Sequence, residues 1–263
     1  MKKIIPLVLF VLIIAFVAFF FLNNGMAMTT LISQDHAIIA KTYNKGLKRV
    51  TEHESFEFET VTKSYKDGKV TTDKKIKVKL VRKGNVVKKL FATVHTDVED
   101  IEVYYVAGDT VNKTYVTRTP AGDTPTIEYF VYEDATIDDI LDTIVEAKPV
   151  LFALEGVDTM TTMDALTKYK KQDEKQFKDK VSSTFTFSPL GAQYEYKVSD
   201  TESYFAKIDI LGTLHNITYK NGTAKEYTTT VTEFTGYDNK VSIYWKNEQN
   251  FREVDVTNFH TGA

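Results

Sequence analysis

SFEFETVTKSYKDGKVTTDKKIKVKL, residues 55–80, decides how this chain folds. Phe56 and Phe58 alternate with Glu57 and Glu59, and Ile76, Val78 and Leu80 alternate with Lys75, Lys77 and Lys79. A period of two with one oily and one charged face is the pattern of antiparallel strands half-buried in a sheet. Between the two runs lies Asp67-Gly68, a dipeptide whose tolerance of positive φ suits the tight primed turn of a hairpin. The lysines belong to the wet face, where they also discourage edge-to-edge pairing.

The same pattern extends outward. Residues 86–96, 101–106, 114–118 and 126–132 read as further strands. After residue 182, Phe185/Phe187, then Pro189-Leu190-Gly191, then Tyr194/Tyr196/Val198 read as a hairpin. Residues 204–219 read as one long strand bent at Gly212, Asn221-Gly222 as a second hairpin turn into residues 226–234, and Val241, Ile243 and Trp245 as a last strand. Two passages carry a helical period instead. Leu31 to Val50 shows one apolar stripe, Leu31/Ile32, Ile38/Ile39, Tyr43 and Leu47. Thr136 with Asp139 is a variant capping box, Asp138 and Asp142 suit a helix start, and Ile137, Ile140, Leu141, Ile144 and Val145 form a stripe. Helices are therefore expected at about residues 136–181.

At the N-terminus, Ile4 to Leu22 contains no charged residue and follows Lys2-Lys3. Nineteen helical residues span roughly 28 Å, close to the thickness of bilayer hydrocarbon. The lysines assign the N-terminus to the cytoplasm and the rest of the chain to the outside. A cleaved signal, cut after Ala27, is the alternative; the length of the apolar run favours an uncleaved anchor. The expected organisation is an anchor and tether, residues 1–28, and one exported β-rich domain, residues 29–263. Without the first 28 residues the chain has 31 basic and 36 acidic residues, a net of −5, which argues against nucleic acid as a partner.

The sequence holds no cysteine, so thiolate catalysis, disulfides and Cys-ligated zinc are excluded. His36, His53, His95, His215 and His260 are scattered, and no nucleophile elbow, phosphate loop or dinucleotide fingerprint occurs. No catalytic residue, metal or cofactor is expected. The acids at 133–142 lack the spacing of a calcium loop and are accounted for by helix-start electrostatics. Tyr and Phe together number 32 against one Trp. Aromatic residues at strand spacing fill cores more often than sites, but a subset is the candidate lining of an apolar pocket: Phe185, Phe187, Tyr194, Tyr196 and Trp245 from the strands, beneath Ile140, Leu141, Ile144 and Phe152.

Helix, a run of antiparallel strands, central helices and a second run of strands resembles the layout of LolA/LolB-like envelope proteins over roughly residues 31–245. The closing stretch, Tyr227-Thr-Thr-Thr-Val-Thr-Glu-Phe-Thr-Gly-Tyr-Asp-Asn-Lys-Val-Ser-Ile243, is similar to the end of many Gram-positive lipoproteins, although this chain lacks the cysteine they acylate. The resemblance implies an α+β fold in which an unclosed antiparallel half-barrel is covered by helices, and non-enzymatic binding of a lipid or other apolar ligand at the cell membrane. An envelope-protein partner docking on a sheet edge or helical face is the second expectation, and a hydrolase the third.

Overall fold

The computed structural model describes residues 35–50, 53–84, 86–122, 126–145, 150–154, 168–172, 177, 179–244 and 250–256. Two antiparallel meanders meet at one seam. The first runs β1 (Ser55–Lys66), β2 (Lys69–Lys83), β3 (Val86–Thr96), β4 (Glu99–Val106), β5 (Lys113–Pro120) and β6 (Glu128–Glu133). The second, after a small parallel pair β7 (Val150–Leu154) and β8 (Lys168–Gln172), runs β9 (Val181–Phe187), β10 (Leu190–Lys197), β11 (Glu202–Asp209), β12 (Leu214–Gly222) and β13 (Glu226–Tyr237). β1 pairs with β13, so the meanders fuse into one sheet that also takes the short β14 (Arg252–Val254) parallel to β6. The sheet has twelve strands and does not close; its edges are β14 and β9.

The hairpin read at Asp67-Gly68 is there. Both residues have positive φ, 48° and 78°, as a primed turn requires. Lys75, Lys77 and Lys79 face outward and pair with Glu59 and Glu57 at 3.1, 2.9 and 3.8 Å. Opposite charges facing across strands neutralise this face, so it is not a free cationic surface.

Helix α1 (His36–Val50) starts where the Asp35 carboxylate accepts the Ala37 N–H at 2.8 Å. Ile39, Ala40, Tyr43 and Leu47, one face at helical spacing, are buried against β9–β12. Gly46 permits the close approach: a Cβ there would stand 2.8 Å from Ile208 Cδ1.

The expected α+β fold with a helical cover is overturned. The described chain is mainly strand, and α1 over one end of a twelve-stranded sheet is not a covering layer. The capping box at Thr136 and Asp139 exists, but its helix α2 (Ile137–Asp139) lasts one turn and widens into a π turn, Ile140–Ile144, closed by Val145 N–H to the Ile140 carbonyl at 3.0 Å. Of the expected helices to residue 181, residues 150–154 and 168–172 are strands; the five-residue apolar run 150–154 fits either period, and its parallel pairing with 168–172 decides here. The long strand expected over 204–219 is two strands with a turn at Gly212, whose φ is +85°. Val241 to Tyr244 is not strand. The anchor expected at Ile4 to Leu22 lies outside the described residues, among which no helix is long and apolar enough to cross a membrane.

Candidate functional site

Register aligns side chains in rows across the sheet's inner face. One row runs Ile101, Val94, Ile76, Thr60, Thr232, Ile217, Ala206, Tyr194 and Ser183, from β4 through the seam to β9. The next, one pleat along, carries Thr62, Thr230, Tyr219, Tyr204, Tyr196 and Val181. The second meander thus presents an aromatic bank to α1. Tyr43 of α1 sits 5.5 Å from the Tyr194 ring and 5.4 Å from Phe177, which in turn stacks on Tyr196 at 5.4 Å. All four are buried. Burial raises the phenol pKa of Tyr194 and of Tyr196, so both hydroxyls stay protonated across the physiological range.

Of the candidate lining residues, Tyr194 and Tyr196 lie in this bank, and Ile140 and Leu141 are buried in the same core. Phe185 is partly buried against it and meets Phe187 edge-on at 4.8 Å, whereas Phe187 itself is 85% exposed at the end of edge strand β9. Ile144 and Phe152 belong to described elements whose side chains at these positions are not described, and Trp245 lies outside the described residues. Tyr43 and Phe177 were missing from the expected set. Tyr43 was visible in the helical stripe, but only the fold sets it against β10.

Beyond the bank the inner face turns polar. Thr60 and Thr232 hydroxyls meet at 2.8 Å, Thr62 and Thr230 at 3.4 Å, and Ser64 stands opposite Thr228. The row ends in the Lys66–Glu226 ion pair at 3.3 Å. There, between the tips of the β1–β2 and β12–β13 hairpins, lies a cleft of about 700 Å³ lined by Ser64, Tyr65, Thr71, Asn221, Tyr227 and Thr228, among others. A second, wider depression of about 770 Å³ lies beside the start of α1, between His36, Lys180 and Lys197.

Three histidines pair with aspartates. His215 Nε2 is 2.9 Å from Asp209, whose other oxygen accepts the N–H groups of Leu211 and Thr213, each at 2.8 Å. His53 Nδ1 is 2.8 Å from Asp238, whose other oxygen accepts Glu54 N–H at 2.9 Å. Tyr237 joins the two sites: its ring stacks on His53 at 4.3 Å and its hydroxyl donates to the Leu214 carbonyl. In each pair the aspartate's second oxygen is committed to backbone N–H groups, so the pairs tie turns to strand ends. His95 and Asp100 form an exposed third pair. Among the described residues, no three His, Asp or Glu side chains converge to hold a metal.

No protein-family profile matches the chain. No curated protein matches it. Among solved structures, a DUF1329 family protein from Desulfovibrio piger is similar at 10% identity and a TM-score of 0.25, over 77% of this chain and 94% of that one. At that score the likeness bears on neither fold nor activity.

Proposed function

We propose that this protein binds a lipid or another apolar ligand without chemistry, outside the cytoplasm, on the inner face of its open sheet. The observation that carries the reading is the extent of that face relative to its helix. Buried apolar rows run through β1–β4 as well as β10–β13, while α1 packs over β9–β12. Tyr43, Tyr194 and Tyr196 give the region ring bodies that favour hydrocarbon and hydroxyls that favour a polar terminus. The resemblance of the sequence to LolA/LolB-like proteins supports the same ligand class only through the unclosed sheet, since the helical cover it implied is absent among the described residues. The segment Ile4 to Leu22 would hold the protein at the membrane with its N-terminus inside; cleavage near Ala27 would release it instead.

Native mass spectrometry of residues 29–263 prepared without detergent tests this. The expected result is a copurifying lipid-sized adduct, or binding of an apolar dye that fatty acid displaces. Neither adduct nor displaceable dye would refute it. A second reading, docking of an envelope protein, is favoured by one observation: Phe187 at the end of edge strand β9 and Leu190 at the start of β10, 85% and 43% exposed, form an apolar corner at the β9–β10 turn. Crosslinking from position 187 in intact cells separates the two, since the ligand reading predicts no protein adduct there.

A further inference from the structure

We infer that the polar end of the ligand is an uncharged hydroxyl group, held where α1 meets β9 and β10; this rests on the reading of the inner face as a lipid site and names the lipid class. Three polar groups meet there without partners. Ser183 Oγ is buried and unpaired, in a residue only 8% exposed. Tyr194 stands directly opposite Ser183 across β9 and β10, on the same face. Its hydroxyl makes no hydrogen bond among the described residues, and burial alone raises its pKa. Asn44 Oδ1 of α1 is buried and unpaired as well.

Helical geometry brings Asn44 to the same place. It follows Tyr43, whose ring meets the Tyr194 ring at 5.5 Å. Gly46 abuts Ile208 of β11, and Arg49 abuts Gly212 just beyond that strand. At about 100° per residue, Gly46 and Arg49 lie to one side of Tyr43 and Asn44 to the other, the side toward β9, which α1 also contacts. A buried polar atom left unpaired costs stability, so three at one contact call for a guest atom that both donates and accepts.

The surroundings select that guest. The inner-face positions of β9 and β10 here are Val181, Ser183, Phe185, Ala192, Tyr194 and Tyr196, none of them charged at neutral pH. The depression of about 770 Å³ beside the start of α1 is lined by Val181 and so opens two residues along β9 from Ser183. Its lysines supply no counter-charge: Lys180 donates to the Val198 carbonyl at 3.1 Å, and Lys197 pairs with Asp200 at 2.9 Å. A carboxylate or phosphate at Ser183 would therefore be buried unpaired, at high desolvation cost. An ether or ester oxygen has no hydrogen for Asn44 Oδ1, whereas a hydroxyl both donates and accepts. The hydrocarbon of the same molecule lies along Phe185 and Ala192, the next pair on that face. Long-chain alcohols and monoacylglycerols have this chemistry.

Photo-crosslinking of the full chain in phosphatidylcholine nanodiscs tests this, with dodecan-1-ol bearing a mid-chain diazirine as the probe and peptide mapping of the label. Label is expected on residues 36–50 or 181–196. Unlabelled dodecan-1-ol should compete at about a tenfold lower mole fraction in the bilayer than its methyl ether, dodecanoate or dodecyl phosphate. Ser183→Ala and Tyr194→Phe keep the strand and the ring. Each should erase most of the alcohol's advantage while leaving competition by the ether within about twofold; a variant that merely loosened the fold would weaken both alike. Equal competition by alcohol and ether, tighter competition by either anion, or an undiminished preference for the alcohol in both variants would each overturn the hydroxyl site and leave the lipid reading standing. Label confined to residues 1–28 would overturn both.

Discussion

Gly46→Ala separates helix propensity from docking. Alanine in place of an interior helical glycine stabilises an isolated helix by roughly 1 kcal/mol. In this fold the added Cβ would stand 2.8 Å from Ile208 Cδ1 and 2.9 Å from Ile208 Cγ2. Ile208 is 1% exposed, and its branched side chain is enclosed on the sheet's inner face, so both methyls cannot swing aside. Overpacking of this kind costs about 1–3 kcal/mol. The net expected loss is about 1 kcal/mol, a fall in Tm of about 2–4 °C for a domain of this size. Ile208→Val removes the nearer methyl and alone costs about 0.5–1.5 kcal/mol. Combined with Gly46→Ala it relieves part of the clash, so the double variant should be more stable than additivity predicts by at least about 0.5 kcal/mol. Urea denaturation followed by circular dichroism measures all four proteins. A rise in the Gly46→Ala midpoint, additive with Ile208→Val, would mean that α1 does not seat on β11 and would refute the packing that positions Tyr43.

Other substitutions probe other layers. Thr114 is fully buried on β5 with its hydroxyl unpaired, so Thr114→Val should raise stability by about 1 kcal/mol in the same urea assay. At Gly191 a Cβ would meet the Ile208 carbonyl oxygen at 2.2 Å and Asp209 Cα at 2.6 Å; Gly191→Ala should therefore part β10 from β11 and cost more than about 3 kcal/mol, seen as loss of cooperative unfolding. Burial alone raises the Asp209 carboxyl pKa, but the hydrogen bond to His215 and the N–H groups of Thr213 and Leu211 outweigh it and hold the group below the usual carboxylate range. A carboxylate with a depressed folded pKa contributes stability above its unfolded value and loses it as pH falls through the folded one. Asp209→Asn should lower stability at neutral pH and flatten the decline seen below about pH 4, read from urea midpoints across pH.

Much of the sheet was legible because alternation and turn chemistry are local. Phe56/Phe58 and Ile76/Val78/Leu80 do face inward, and Asp67-Gly68 does turn the chain. Asn221-Gly222 carries an equally strong local signal and does not turn. Gly222 is the last residue of β12, pressed so close to Tyr227 that a Cβ would lie 2.5 Å from its Cα. The chain reverses just beyond, where the Glu226 N–H donates to Thr223 Oγ1 and the Thr223 N–H to the Glu226 carbonyl. Gly212 was legible as a bend, but not that the strand ends there; its cause is the Asp209 side chain accepting the Leu211 and Thr213 N–H groups. The candidate site was half legible for the same reason. Tyr194 and Tyr196 follow from period two, but Tyr43 and Phe177 reach them only through tertiary contacts, and the stacked Tyr65 and Tyr227 are 162 residues apart.

The seam explains why an oily region and a polar one can share one sheet. β1 and β13 come from opposite ends of the domain, and nothing local sets their register. Thr60 and Thr232 are 4% and 1% exposed, and each hydroxyl is the other's partner at 2.8 Å. A slip of one residue would turn Val231 inward and leave two buried hydroxyls unpaired, at about 1–3 kcal/mol each. Valine at both positions would bury more apolar area but would lose that penalty, and with it the discrimination between registers. The correct register in turn aligns Phe58 with Phe234 on the oily side and Tyr65 with Tyr227 at the polar tip. One buried hydroxyl pair thus fixes both the aromatic face and the polar tip, and this places threonine, rather than valine, near the middle of the seam pairing between β1 and β13.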